Sequence, residues 1–150
     1  MKQIVIATDG SAPATEAVDV GLELAREQGA EVTFVHVTEP DDYVVSRLGP
    51  GHAVPHHEPI DASETALAAA EEAAKEAGVS YALERISGEA VDTIVAVADA
   101  KNADLIVVGS RGLGPVKAAL LGSVSRGVLD DARRPVLIVK AEKVPAGVDS

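Results

Sequence analysis

The chain contains no cysteine and no tryptophan. Without thiols there is no disulfide framework and no thiolate metal site. Only three aromatic residues are present, Phe34, Tyr43 and Tyr81, so stacking platforms for unpaired bases are scarce. Basic residues are also few: 13 Lys and Arg stand against 24 Asp and Glu, a formal net charge of −11. A nucleic acid backbone is repelled by that balance, which argues against DNA or RNA as a partner. The same acidity fits either a high-salt, halophilic host or an ordinary acidic protein. No apolar run approaches the roughly 18 residues needed to span a bilayer. The opening "MKQIVIATDG" reaches Asp9 too soon to form the apolar core of a secretory leader and reads instead as a first strand. The absences together point to a cytoplasmic protein without a membrane or nucleic acid partner.

What is present is ordinary in bulk and ordered in detail. The 150 residues, 47% hydrophobic and 25% charged, suffice for one domain with a buried core. "QIVIAT" (residues 3–8) is apolar and partly β-branched, a strand. Asp9 and Gly10 turn the chain. Ser11 is a suitable N-cap, Pro13 suits a first helical turn and Gly29 a helix stop. Between them Ala14, Val18, Leu22 and Ala25 recur at helical spacing. "AEVTFVHV" is the second strand. Residues 39–59 carry four of the eight prolines and read as an irregular insertion. "DASETALAAAEEAAKEAG" is an alanine-rich helix closed by Gly78, "VSYALERI" a half-exposed edge strand, and "GEAVDTIVAVADAKN" a third helix. "DLIVVG" and "PVLIVK" are continuous apolar runs, typical of strands covered on both faces. A last helix lies between them and ends near "DDARR", where Arg133 and Arg134 suit a helix C-terminus. Strands alternating with helices imply an α/β fold: a parallel sheet with helices on both faces. Residues 1–150 read as a single domain with its core at 3–140 and a loose tail at 141–150.

The stretch "GSRGLGPVKAALLGSVS" (residues 109–125) holds four glycines and three serines between the fourth strand and the last helix. In an open α/β sheet, loops leaving the carboxyl ends of strands line the ligand crevice. Gly109, Gly112 and Gly114 can adopt positive φ and let backbone N–H groups approach an anion. A helix beginning at Gly122-Ser123 would present free N–H groups to phosphate, with the Ser123 and Ser125 hydroxyls adding bonds. Neither G-x-x-x-x-G-K-[ST] nor, after the first strand, G-x-G-x-x-G occurs. The pattern is Gly109-x2-Gly112-x9-Gly122-Ser123.

That spacing, with "IVIATDGSAPATEAV", the strand end "FVHVTEP" and the closing "RRPVLIVK", resembles the ATP-binding branch of the universal stress protein family, over residues 3–140. The resemblance implies a five-stranded parallel sheet of Rossmann-like type, related to the adenine nucleotide alpha hydrolases, in strand order 3-2-1-4-5. It implies ATP as ligand, with Mg²⁺ accompanying the phosphates. Ala7, Thr8 and Asp9 match the segment beside adenine and ribose, although alanine stands at the first position where the family often has proline. Val37 matches the position whose backbone reads the adenine edge. Gly109, Ser110, Arg111, Gly112, Leu113, Gly114 and Pro115 match the loop over ribose and phosphates. Gly122, Ser123, Val124 and Ser125 match the phosphate-binding start of the helix. A homodimer formed through Pro135–Lys140, an apolar strand at the sheet edge, is also implied.

Plainer readings stand beside these. The glycines suit a tight βα loop. Asp9 either meets a ribose hydroxyl or Mg²⁺, or caps the helix that follows. His36 reads as packed or backbone-bonded. Arg111 and Lys117 either screen phosphate or are solvated, and His52, His56 and His57 match no established zinc spacing. The glycine-rich loop offers no Glu or His to orient water, so no catalytic residue is assigned. The chain therefore reads as a nucleotide-dependent sensor or switch in a stress response. Occupancy would be relayed through the insertion or residues 113–121 to a regulatory partner. A slow ATP-cleaving enzyme and a nucleotide-free dimeric scaffold are the alternatives.

Overall fold

The computed structural model describes residues 1–38, 60–110 and 121–140. Strand β1 (Gln3–Ala7) leads into helix α1 (Ala12–Gln28), then β2 (Glu31–Thr38), α2 (Ile60–Ala77), β3 (Tyr81–Ser87), α3 (Ala90–Ala100), β4 (Leu105–Gly109), α4 (Ser123–Asp131) and β5 (Val136–Val139). All strand pairs are parallel and the order is β3-β2-β1-β4-β5, as the sequence implied. The insertion at 39–59, the tail at 141–150 and residues 111–120 lie outside the described residues.

Period-two alternation sorts the strand side chains onto two cores. Ile4, Ile6, Val32, Phe34, Leu105 and Val107 join α1 and α2 in one buried cluster. Val5, Val35, Ile106 and Val108 join α3 and α4 in the other. Both faces of β1 and β4 are therefore dry, which is why these strands read as unbroken apolar runs. β3 lies at one edge, where half-buried and exposed residues interleave. α1 follows its sequence signals closely. Ser11 caps it in an extended conformation, its Oγ accepting from the Ala14 N–H, and Gly29 ends it in the left-handed region at φ 67°. Ala14, Val18, Leu22 and Ala25 all face inward. Gly21 allows this helix to lie directly on the sheet, since a Cβ there would collide with the Ile6 side chain.

Three features differ from expectation. Strand β1 ends at Ala7, one residue before Thr8, whose N–H still bonds the Val35 carbonyl while its own carbonyl meets the His36 ring at 3.0 Å. Gly109 is not among the glycines at positive φ, which in the described residues are Gly10, Gly29 and Gly78. Arg134 does not serve the end of its own helix. Its Nε donates to Asp99 Oδ1 at 3.1 Å, and one Nη donates to Asn102 Oδ1 at 3.3 Å and to the Ala103 carbonyl at 2.7 Å. The guanidinium thereby binds the carboxyl end of α3, where the helix dipole favours a cation.

At the amino edge of the sheet the Asp104 carboxylate accepts from the backbone N–H of Lys2 at 2.6 Å and of Gln3 at 3.1 Å. These bonds, chiefly that of Lys2, hold its carboxyl below the ordinary value of 3.8. A carboxyl that is more acidic when folded stabilises the fold above its unfolded pKa, and this contribution disappears as pH falls through the folded pKa. Asp104→Asn is therefore expected to be less stable than wild type at neutral pH. The difference should shrink below about pH 3.8. Urea denaturation across that range checks it, and a gap independent of pH would refute the assignment.

Candidate functional site

From β1 the chain winds outward through β2 to β3, then returns to the other side of β1 to place β4 and β5. The reversal lies between β1 and β4, and in open α/β sheets ligands bind beyond the carboxyl ends of the strands at such a reversal. Many of the residues singled out from the sequence fall on this edge. Ala7 ends β1, Thr8 and Asp9 follow it, and Val37 is the penultimate residue of β2. Gly109 ends β4, Ser110 follows, and Gly122, Ser123, Val124 and Ser125 open α4. Arg111, Gly112, Leu113, Gly114, Pro115 and Lys117 lie outside the described residues, as do His52, His56 and His57.

The turn after β1 is held by its own side chains. Asp9 Oδ1 accepts from the Ser11 N–H at 2.9 Å, Gly10 takes φ 82°, and buried Ser11 then caps α1. Asp9 thus buttresses the turn, and the helix cap is Ser11. This turn brings the first residues of α1 against β4. A Cβ on Gly109 would stand 2.6 Å from the Pro13 carbonyl carbon and 2.8 Å from the Ala14 nitrogen. Glycine is required at 109 by that backbone approach, so its role is steric, whereas its left-handed freedom goes unused.

Ser110 ties the other side of the reversal. Its N–H donates to the Val139 carbonyl at 2.8 Å, which secures β5. Its carbonyl accepts from the Gly122 N–H at 2.7 Å and from Ser125 Oγ at 2.8 Å. Both lone pairs of that oxygen are occupied. The Ser125 hydroxyl also lies 3.0 Å from the Gly122 carbonyl. Its one proton is committed to carbonyl acceptors, and the side chain is only 2% exposed. Ser125 therefore latches α4 to β4 and has no hydroxyl proton left for phosphate; what it can offer is its backbone.

The start of α4 is open by comparison. Gly122 is the N-cap at φ −75°, ψ 171°, and supplies no side-chain cap bond. Ser123 and Val124 are exposed. The first-turn N–H groups of a helix have no intrahelical acceptor, and with no side-chain cap among the described residues they carry a partial positive charge at the start of α4. In a chain of net charge −11, this is a local device for holding an anion. Sequence reasoning identified these residues but missed how they are fixed. The proximity of Pro13 to Gly109 and the convergence of two donors on the Ser110 carbonyl have no signature in a linear pattern.

A hollow of about 730 Å³ lies at the opposite edge among Asp99, Ala103, Asp104, Arg133, Arg134 and Pro135. It flanks the amino ends of β4 and β5. Asp99, Asp104 and Arg134 are engaged in the clasps described above. The carboxyl edge is the candidate site.

An open parallel sheet in this order with helices on both faces defines the doubly wound, Rossmann-like class of α/β proteins. Within that class the chain belongs to the universal stress protein family, whose sequence profile matches residues 1–140. It is 36% identical over 145 residues to universal stress protein YxiE of Bacillus subtilis, covering 92% of this chain and 98% of that one. Among solved structures, a universal stress protein in complex with cAMP superposes with a TM-score of 0.69 at 29% identity, covering 94% of this chain and 98% of the other. The universal stress protein of Archaeoglobus fulgidus in complex with dAMP gives a TM-score of 0.67 at 26% identity, with 93% and 98% covered.

Gly109→Ala is expected to cost about 1–3 kcal/mol, because the atoms it would strike are backbone and cannot rotate away. Ser125→Ala should cost only about 1 kcal/mol, since the Ser110 carbonyl keeps the Gly122 donor. Urea midpoints measured side by side test the order; an alanine tolerated at 109 would contradict the packing.

Proposed function

We propose that this universal stress protein, acting as one unit over residues 1–140, binds ATP at the carboxyl edge of its sheet and serves as a nucleotide-dependent switch. The observation that carries the reading is the start of α4, whose Gly122 N-cap supplies no side-chain bond and is tied to Ser110 just past the end of β4, the strand next to β1. The phosphates would lie against the Ser123–Ser125 amides, where the helix dipole is worth most. The ribose would lie by Thr8, Asp9 and Gly109, and adenine by Val37. Residues 37 and 35 of β2 turn their backbone groups toward β1, and β1 stops short of Val37. A strand residue presents an N–H and a C=O on the same side. That pair complements the N1 acceptor and N6 donor of adenine and mismatches guanine, which offers a donor at N1 and an acceptor at O6. The cAMP and dAMP complexes of the two relatives support an adenine nucleotide.

Mg²⁺ would accompany the phosphates, since this ion is commonly held by one or two carboxylates together with phosphate oxygens. Asp9, in the turn that follows β1, is a carboxylate on this edge beside the strand reversal. Its Oδ1 supports the turn, and His36 is buried against the Thr8 carbonyl and away from bulk water. Binding without fast hydrolysis is the reading that follows. β5 is the sheet edge beside β4, and its Val136, Leu137 and Ile138 are half-buried. Pairing with a second copy would cover them. Sedimentation is expected to show a dimer at micromolar concentration, and a monomer there would contradict the pairing.

Ser123→Glu separates this reading from a nucleotide-free scaffold. A carboxylate in the first turn of α4 suits the helix dipole, so the melting temperature should hold or rise slightly. The same charge would repel the phosphates, and MgATP affinity by calorimetry should fall by about tenfold or more. Equal affinity in the two proteins would place the phosphates elsewhere.

A further inference from the structure

One rung is replaced where β1 stops and β2 continues. Val32 donates to the Ser80 carbonyl and Thr38 accepts from the Gly88 N–H, so even-numbered residues of β2 direct their backbone groups to the β3 side. Val35 accepts from the Thr8 N–H at 2.9 Å, so odd-numbered residues face β1. One more step of a parallel ladder would send the Val37 N–H to the Thr8 carbonyl. Among the described residues that bond is not made, and Thr8 lies outside the strand. The Thr8 carbonyl instead meets His36 Nδ1 at 3.0 Å. A carbonyl oxygen only accepts, so Nδ1 carries the proton, in the neutral ring as in the cation. The ring is 3% exposed, so water competes little for this bond.

Resting on the adenine reading of Val37, we propose that His36 is a positioning residue for base recognition. Its Nδ1–H takes the carbonyl that the sheet ladder would otherwise give to Val37, and so keeps the Val37 amide turned toward the adenine edge. The side chain ends β1 one residue early. A leucine at 36 would leave the Thr8 carbonyl to seek the nearest donor, which is the Val37 N–H. The ladder would close and the base would lose a partner. Asparagine carries an amide N–H close to the position of Nδ1 and preserves the arrangement.

Three proteins decide it: wild type, His36→Leu and His36→Asn. In His36→Leu, ATP affinity is expected to fall about tenfold, with GTP and inorganic triphosphate binding little changed, so ATP-over-GTP selectivity falls with it. Hydrogen exchange at the Val37 amide should slow in the same variant. His36→Asn should restore both. In wild type, ¹⁵N ring shifts should show the Nδ1–H tautomer. A merely structural role would lower melting temperature without altering selectivity. Unchanged selectivity in His36→Leu, or an Nε2–H tautomer in wild type, overturns the role of His36 alone. Failure of wild type to bind ATP overturns the nucleotide reading itself. If His36→Leu does not fold, the tautomer and the behaviour of His36→Asn still decide: a weakened ATP-over-GTP preference in the asparagine protein would count against the proposal.

Discussion

Parallel strands of unequal length leave polar backbone groups at their ends, and a buried peptide group without a partner costs about 1–3 kcal/mol. The organisation of this molecule's functional edge follows from how those groups are satisfied. At β1 the last carbonyl turns sideways to His36. Beyond β4 the Ser110 carbonyl collects the Gly122 N–H and the Ser125 hydroxyl. In both places a side chain supplies a bond that continued ladder would have supplied. In the proposed reading, the backbone amides nearby, at Val37 and at the start of α4, are the ones left to receive a ligand.

This arrangement suits an acidic protein. A pocket built from lysines and arginines would depend on charge that the chain has in short supply. A pocket built from amide dipoles does not, and the dipoles act over only the first helical turn. The rest of the fold supplies rigidity. Two dry cores, one on each face of the sheet, fix the strands. The close approach of α1 to Gly109 and of α3 to Gly127, where a Cβ would press on Val91, sets the helices.

Much of the fold was legible because its signals are local. Ser11, Pro13 and Gly29 mark α1 by capping chemistry, and the continuous apolar run of β4 announces a strand covered on both faces, whereas β5, read the same way, is a half-buried edge strand. The strand order followed from resemblance, and the glycine-serine spacing directed attention to the carboxyl edge, where Gly109, Ser110 and Gly122–Ser125 are found. Details that depend on distant residues were not legible. That Gly109 is needed for Pro13, that Arg134 reaches α3 and that Thr8 leaves the strand for His36 are contacts between segments far apart in sequence. A lone histidine in an apolar strand carries no mark of the carbonyl it will meet. The Ser125 hydroxyl looked available for phosphate for the same reason: its acceptor, at residue 110, comes from another element.

The central claim is that backbone amides on the carboxyl edge, and not side-chain charge elsewhere, receive an adenine nucleotide. Amide ¹H–¹⁵N spectra recorded through a MgATP titration address it residue by residue. The account predicts saturable shifts at Val37, Thr8 and Gly122–Ser125, with Lys2, Gln3 and Asp104 at the opposite edge unmoved. Shifts confined to the hollow around Asp104 and Arg134, or none at all at saturating nucleotide, would contradict it.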